Sequence, residues 1–227
     1  SDLITRSVNS IRRREAHLFS VMGGQELGSF WERLVQPQVF GILSVRYGGT
    51  ESITNSANVS SKIANGQCLF VRRDTYEELG GHALVKDHVG DDMMMAQQFF
   101  RNGKRVVVEE GIRQLSTRMY TSLSELIHGW GKNVFAAGRD AVMFGAVGRA
   151  IFPLVLLGAP LFCLLPALVL IAATLVDLPR AVLAWAAISE AATLLWWCYL
   201  YARMEERPLY ALLSPVGSAV VFLIFRR

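Results

Sequence analysis

Val89-Gly90-Asp91-Asp92-Met93-Met94-Met95-Ala96 puts two adjacent carboxylates where a loop turns into an apolar helix. Neighbouring acids raise each other's pKa, which suits one of them to take a proton from a hydroxyl as a general base. Acids also gather at helix N-termini for structural reasons alone, so the pair supports both readings. A second candidate is Gln114-Leu-Ser-Thr-Arg118-Met-Tyr120. Its Arg would hold a phosphate through bidentate hydrogen bonds, or stand solvated on a strand. Other chemistries lack their residues. The chain has no GxSxG, HExxH, Walker loop or GxGxxG after a strand. His17, His82, His88 and His128 do not cluster, and Cys68, Cys163 and Cys198 have neither metal-ligand spacing nor the number for a disulfide scaffold. A formal net charge of +4 is too mild to argue for a nucleic-acid partner.

The elements that must position these residues lie in the first 150 positions, which hold 18 Lys/Arg and 15 Asp/Glu, an ordinary soluble composition. The spacing of Leu3, Val8 and Ile11 predicts a helix over 2–14, then a strand over 17–22 and a turn at Gly23-Gly24. Residues 25–43 are helix-periodic, with Pro37 expected to interrupt them, and the Gly/Ser/Thr/Asn-rich 47–63 reads as a loop. A buried strand over 68–71, a short helix over 74–79 closed by Gly80-Gly81, and a loop over 82–90 follow. Next come a helix over 91–102 stopped by Gly103, a strand over 104–108 and an extended 114–120. Alternating short strands and helices imply an α/β domain. Ser122-Leu-Ser-Glu125 is a capping box. The helix it opens carries Leu123, Leu126, Ile127, Trp130, Val134 and Phe135 on one side and Glu125, His128 and Lys132 on the other. That pattern fits a helix lying in a bilayer interface, with a plain core helix as the alternative.

Residues 151–227 hold 5 Lys/Arg and 4 Asp/Glu. Ile151 to Val176 has no charge, is long enough to cross a bilayer, and would be kinked at Pro153, Pro160 and Pro166. A polar turn, Asp177 to Arg180, leads to a second span over 181–202, flanked by Trp185 at one end and Trp196, Trp197, Tyr199 and Tyr201 at the other. Its Glu190 is either a proton or substrate site, or a carboxyl bonded to a neighbouring helix. After Arg203–Arg207, residues 208–225 form a third apolar stretch that crosses or, if Ser214-Pro215 breaks it, re-enters.

In order, Gly66-Gln-Cys-Leu-Phe-Val-Arg-Arg-Asp-Thr-Tyr-Glu-Glu-Leu-Gly-Gly81, Gly90-Asp-Asp, Thr117-Arg-Met-Tyr, Gly129-Trp-Gly-Lys-Asn133 and the apolar spans resemble the C-terminal part of membrane-bound family 2 glycosyltransferases of the GT-A fold. The likeness is to the branch of ceramide glucosyltransferase-like and hopanoid- or carotenoid-associated enzymes, and Gly28–Leu34 and Pro208–Gly217 share it. It implies a partial GT-A (Rossmann-like) domain over 1–120, interfacial amphipathic helices over 121–148, and a transmembrane region over 149–227. It further implies a multi-pass cell-membrane enzyme with a cytoplasmic catalytic domain, which moves a hexose from a nucleotide-sugar to a lipid acceptor with inversion. Asp92 would be the base, with Asp91 beside it. Arg118 would add charge at the leaving diphosphate, Gly66, Gln67, Gly80 and Gly81 would shape the acceptor side, and Gln114 and Trp130 would also bind substrate. Met119 stands where the family's downstream motif has Trp, which disfavours a processive polysaccharide synthase. A non-catalytic membrane adaptor is the other alternative. The family's divalent metal, Mg2+ or Mn2+, would be held by a DxD motif upstream of Ser1. The chain is thus expected to be a fragment, inactive by itself.

Overall fold

In the computed structural model, residues 2–140 and 145–226 are described, without the side chains of 135–140 and 145. Phe135, one of the residues expected on the apolar side of the amphipathic helix, has its side chain outside the described set. The chain divides into two compact units, each built from separated segments.

The first unit comprises Ser1–Glu26, Ser44–Met119 and Asn133–Arg149. Its centre is a three-stranded sheet in the order β3 (Leu69–Val71), β1 (Leu18–Met22), β4 (Val106–Glu110). β1 runs parallel to β4, Leu18 opposite Val106 and Met22 opposite Glu110, and antiparallel to β3, Ser20 opposite Leu69. Both faces of the sheet are covered, so β1 and the first half of β4 are nearly continuous runs of buried residues. Phe19, Val21 and Val107 pack with Leu3 and Ile11 of helix α1 (Asp2–Arg13). Leu18 and Val106 pack with the Met93–Ala96 run and Phe99 of helix α5 (Asp91–Arg101). Gly103, at φ +71°, ends α5 as its sequence position predicts.

Local differences from the sequence expectation have physical causes. Gly23-Gly24 is not a reversal. The chain runs on into β2 (Gly24–Gln25), which pairs in parallel with β5 (Ser116–Thr117). The expected loop over 47–63 contains helix α3 (Thr50–Asn55) and a 3-10 turn, Val59–Ser61. The buried Lys62 ammonium bonds the Ile53 and Thr54 carbonyls at the end of α3, at 3.0 and 2.7 Å. Thr54 Oγ1 in turn accepts the Val108 N–H at 2.9 Å. These bonds, the last of them between residues 54 apart, give the helix a stability that its composition does not advertise. A short helix α4 (Arg73–Glu78) follows β3, as expected.

The second unit comprises Leu27–Leu43, Tyr120–Lys132 and Ala150–Arg227. Ala146–Ala172, Arg180–Arg203 and Pro208–Phe225 are each long and apolar enough to cross a membrane. The first lies within helix α7 (Gly145–Ala172). It starts before Ile151 and ends short of Val176, where Thr174 turns its hydroxyl back onto the Ile171 carbonyl at 2.7 Å. Pro153, Pro160 and Pro166 all lie inside that one helix. Leu154, Phe162, Ile188 and Leu195 are exposed, as lipid-facing residues of α7 and helix α8 (Arg180–Arg203) would be. The third stretch changes type at Ser214, from a 3-10 segment to helix α9 (Ser214–Phe225). Pro215 falls in the first turn of α9, where its missing N–H costs nothing.

Helix α2 (Phe30–Tyr47) lends its residues up to Leu43 to this unit and continues through Pro37. The Gln38 amide donates to the Ser214 carbonyl at 3.0 Å and accepts from Ser218 Oγ at 2.9 Å. Tyr201 donates to the Leu34 carbonyl at 3.2 Å. Such packing on all sides keeps the helix intact where proline would break an exposed one. Helix α6 (Leu123–Asp140) opens with Ser122 Oγ accepting the Glu125 N–H at 3.2 Å. Its Leu126 and Trp130 are buried, whereas Leu123 and Ile127 are half-exposed.

A carbon added at Gly217 would run into the Gln38 amide and lie 3.0 Å from the Leu34 carbonyl oxygen. Gly217→Val should therefore cost about 1–3 kcal/mol as overpacking. Gly158→Ala, where nothing lies within 4 Å, should be close to neutral. Thermal unfolding in detergent measures both, and equal melting temperatures would contradict this packing.

Candidate active site

In an open sheet, ligands favour the carboxyl edge of parallel strands. Here that edge is where β1 ends at Met22 and β4 at Glu110. β3 runs the other way, so the segment before it, residues 65–68, enters from the same edge. α5 starts beside it. The Gly66 N–H donates to Asp92 Oδ2 at 2.7 Å, and the Met93 N–H donates to Asp92 Oδ1, also at 2.7 Å. A carbon at position 66 would sit 3.1 Å from Asp92 Oδ2, so the close approach depends on glycine.

Burial pushes the Asp92 carboxyl above the ordinary aspartate range. The N–H groups of Gly66 and Met93 pull it back, and the Asp91 charge pushes the same way as burial; the net shift is upward. Asp91 is exposed, and its Oδ1 accepts the Asp92 N–H at 2.9 Å, an ordinary helix-start bond. The two acids thus differ: Asp91 serves the helix start, while Asp92 occupies a half-buried niche walled by Gly66.

Gln67 lies next to that niche, exposed, its N–H on Asn65 Oδ1 at 3.2 Å and its Oε1 accepting from Asn65 Nδ2 at 3.3 Å. Gln114 sits in the turn after β4, with its N–H on the Gly111 carbonyl at 3.0 Å. It lines a cavity of about 380 Å³ together with Arg6, Ser10, Arg13, Glu109 and Glu110. Phe19 and Val21 also line it, which puts it on the α1 face of the sheet, away from the α5 face. Arg118 is exposed and directly follows β5.

Gly80 and Gly81 are not brought to this edge. Glu78, two residues earlier, pairs at 2.6 Å with Lys104, which precedes β4 and so marks the amino edge. Both glycines have left-handed backbones, φ +89° and +60°, and the Tyr76 ring leaves no room for a side chain at Gly81. A turn accounts for them. Trp130 belongs to the second unit, is 5% exposed, and packs edge-on to Phe40 at 5.4 Å and Tyr120 at 5.8 Å. Among the described residues its indole N–H meets no acceptor.

Sequence reasoning missed Ser20 and Asn65. Asn65 anchors the loop that carries Gly66, and the visible signals were an Asn-Gly pair and a lone polar residue inside an apolar strand. No three His, Cys, Asp or Glu side chains among the described residues converge to hold a metal ion. Asp91 and Asp92 bring two carboxylates, and no third such side chain joins them among the described residues.

The family model described as Glycosyl transferase family 21 matches residues 48–204, well over half of the chain and inclusive of Gly66, Asp92, Arg118, α7 and α8. No curated protein and no solved structure matches it.

An added carbon at Gly66 must push Asp92 Oδ2 away, so Gly66→Ala should cost up to about 1.5–3 kcal/mol, the scale of a hydrogen bond to a charged group. Chemical denaturation at neutral pH measures it, and an unchanged midpoint would contradict the contact.

Proposed function

The chain belongs to glycosyl transferase family 21 and is a glycosyltransferase, and from that premise we propose that it moves a hexose from a nucleotide-sugar to a lipid hydroxyl with inversion, Asp92 acting as general base. The observation that carries this is the half-buried Asp92 carboxylate, held by the Gly66 N–H at the carboxyl edge of the sheet. The acceptor oxygen attacks the anomeric carbon while its proton passes to Asp92. The bond from that carbon to the phosphate oxygen breaks, and the nucleoside diphosphate leaves. A carboxyl raised by burial is a better-matched base near neutral pH than a solvated one. Arg118, exposed after β5, would meet the developing phosphate charge. The resemblance in sequence supports a GT-A arrangement, of which β3-β1-β4 would be part.

Three apolar helices support a membrane enzyme with a lipid acceptor. One Arg flanks the turn between α7 and α8, and two flank the loop after α8. That difference of one Arg supports a cytoplasmic position for the latter loop and for the catalytic unit. Leu123 and Ile127 remain free to meet lipid at the interface.

In the complete enzyme in nanodiscs, with radiolabelled nucleotide hexoses and membrane lipid extract, Asp92→Asn should lower kcat by about 10²–10⁴-fold while the protein stays folded. Unchanged turnover would mean that a group other than Asp92 takes the proton. Because the folded-state pKa of Asp92 is raised, its deprotonated form, and with it kcat/KM, should grow as pH rises through that raised value. The contribution of Asp92 to stability has the opposite sign. It is full below the unfolded carboxyl pKa and is lost as pH rises through the folded one. A pH–rate profile whose acid limb sits at the ordinary aspartate value would contradict this.

A further inference from the structure

Ser20 is out of place by composition. It lies mid-way along the central strand, fully buried, between Phe19 and Val21. A hydroxyl there is costly unless bonded. Its Oγ accepts the Asn65 N–H at 2.7 Å and donates to the Asn65 carbonyl at 3.2 Å, a reciprocal clamp between strand and loop. The Asn65 side chain extends the clamp in both directions. Its Nδ2 donates to the Val21 carbonyl at 3.3 Å, and its Oδ1 accepts the Gln67 N–H at 3.2 Å. Gly66 is the residue so enclosed. Its N–H is thereby aimed outward, at Asp92 Oδ2. Three residues upstream of Asn65, the buried Lys62 fastens the other end of the loop to α3.

We propose that Ser20 and Asn65 are positioning residues for Asp92: they hold the 65–67 loop so that the Gly66 N–H meets the carboxylate of the base before substrate arrives. Neither touches the reacting atoms. The inference rests on the reading of Asp92 as the general base. Its physical content is preorganisation. A donor fixed by buried bonds needs no reorientation when charge is present on the carboxylate, whereas a mobile loop would lose that interaction to water and strain. The charge acting on Asp92 from its neighbours is that of Asp91.

The test uses the protein in lipid nanodiscs and pH-difference infrared spectroscopy of carboxyl bands, with the Asp92 band assigned by its loss in Asp92→Asn. Ser20→Ala should move the Asp92 titration upward, because the carboxylate loses its fixed donor. In the complete enzyme, kcat should fall roughly tenfold with KM for the donor unchanged. Asn65→Ala keeps the strand intact and should shift the same band in the same direction, which covers the case of a Ser20 variant that folds poorly. Asn65→Ser, whose hydroxyl can still accept the Gln67 N–H and which adds no charge beside Asp92, should shift it less than Asn65→Ala. A folded Ser20→Ala or Asn65→Ala protein whose Asp92 band titrates as in the parent overturns the proposal, even while Asp92→Asn is inactive. Full turnover in Asp92→Asn overturns the base reading instead, whatever the band does.

Discussion

A 2.7 Å hydrogen bond from the Gly66 amide to Asp92 Oδ2 is the contact on which the arrangement of the candidate site turns. Burying a carboxylate is unfavourable, and this one is only partly compensated by two backbone N–H groups. Under the proposed function, that residual imbalance is what would suit it to act as a base rather than a structural cap. Each neighbouring element contributes a condition for that bond. α5 must begin at Asp91, so that residue 92 falls in its first turn. The loop before β3 must come from the carboxyl edge, which the antiparallel pairing of β3 with β1 ensures. Residue 66 must lack a side chain.

The second unit holds the three stretches long and apolar enough to cross a membrane, where it would meet a different solvent. In hydrocarbon every backbone polar group needs a partner within the protein. α2 supplies several: the Gln38 amide reaches the Ser214 carbonyl and Ser218 Oγ, while the Leu34 carbonyl takes the Tyr201 hydroxyl. Polar residues that look misplaced in an apolar setting thus hold α2, α8 and α9 in one register. Gly41 serves the same end, since an added carbon there would meet the Trp197 ring at 2.9 Å. The apolar outer faces of α7 and α8 would then be left for lipid.

Much of this was legible in the residues. Short apolar runs marked β1, β3 and β4, and the acids of 91–92 with Gly103 bracketed α5 to within a residue. The capping box at Ser122 and the charge-free stretch after residue 150 marked α6 and α7. What was not legible depends on contacts far apart in sequence. α3 lies in a Gly/Ser/Asn-rich segment and is held by Lys62 and by Thr54 against β4. Pro37 reads as a break, yet lies within a helix that protein surrounds. Gly66 and Asp92 were both visible as candidates, but nothing local joins residues 26 apart. Gly80-Gly81 looked equally suited to a binding wall, and only the left-handed backbone and the pairing of Glu78 with Lys104 place them in a turn at the other edge.

The most direct measurement of the central contact is the Gly66 amide proton by NMR as a function of pH, in protein labelled at glycine. An amide that donates to a carboxylate shifts when that carboxylate ionises. The Gly66 resonance should move downfield through a single titration with a midpoint above the ordinary aspartate value, and the movement should vanish in Asp92→Asn. A Gly66 amide that ignores pH over that range, or titrates identically without Asp92, would mean that the two residues do not meet.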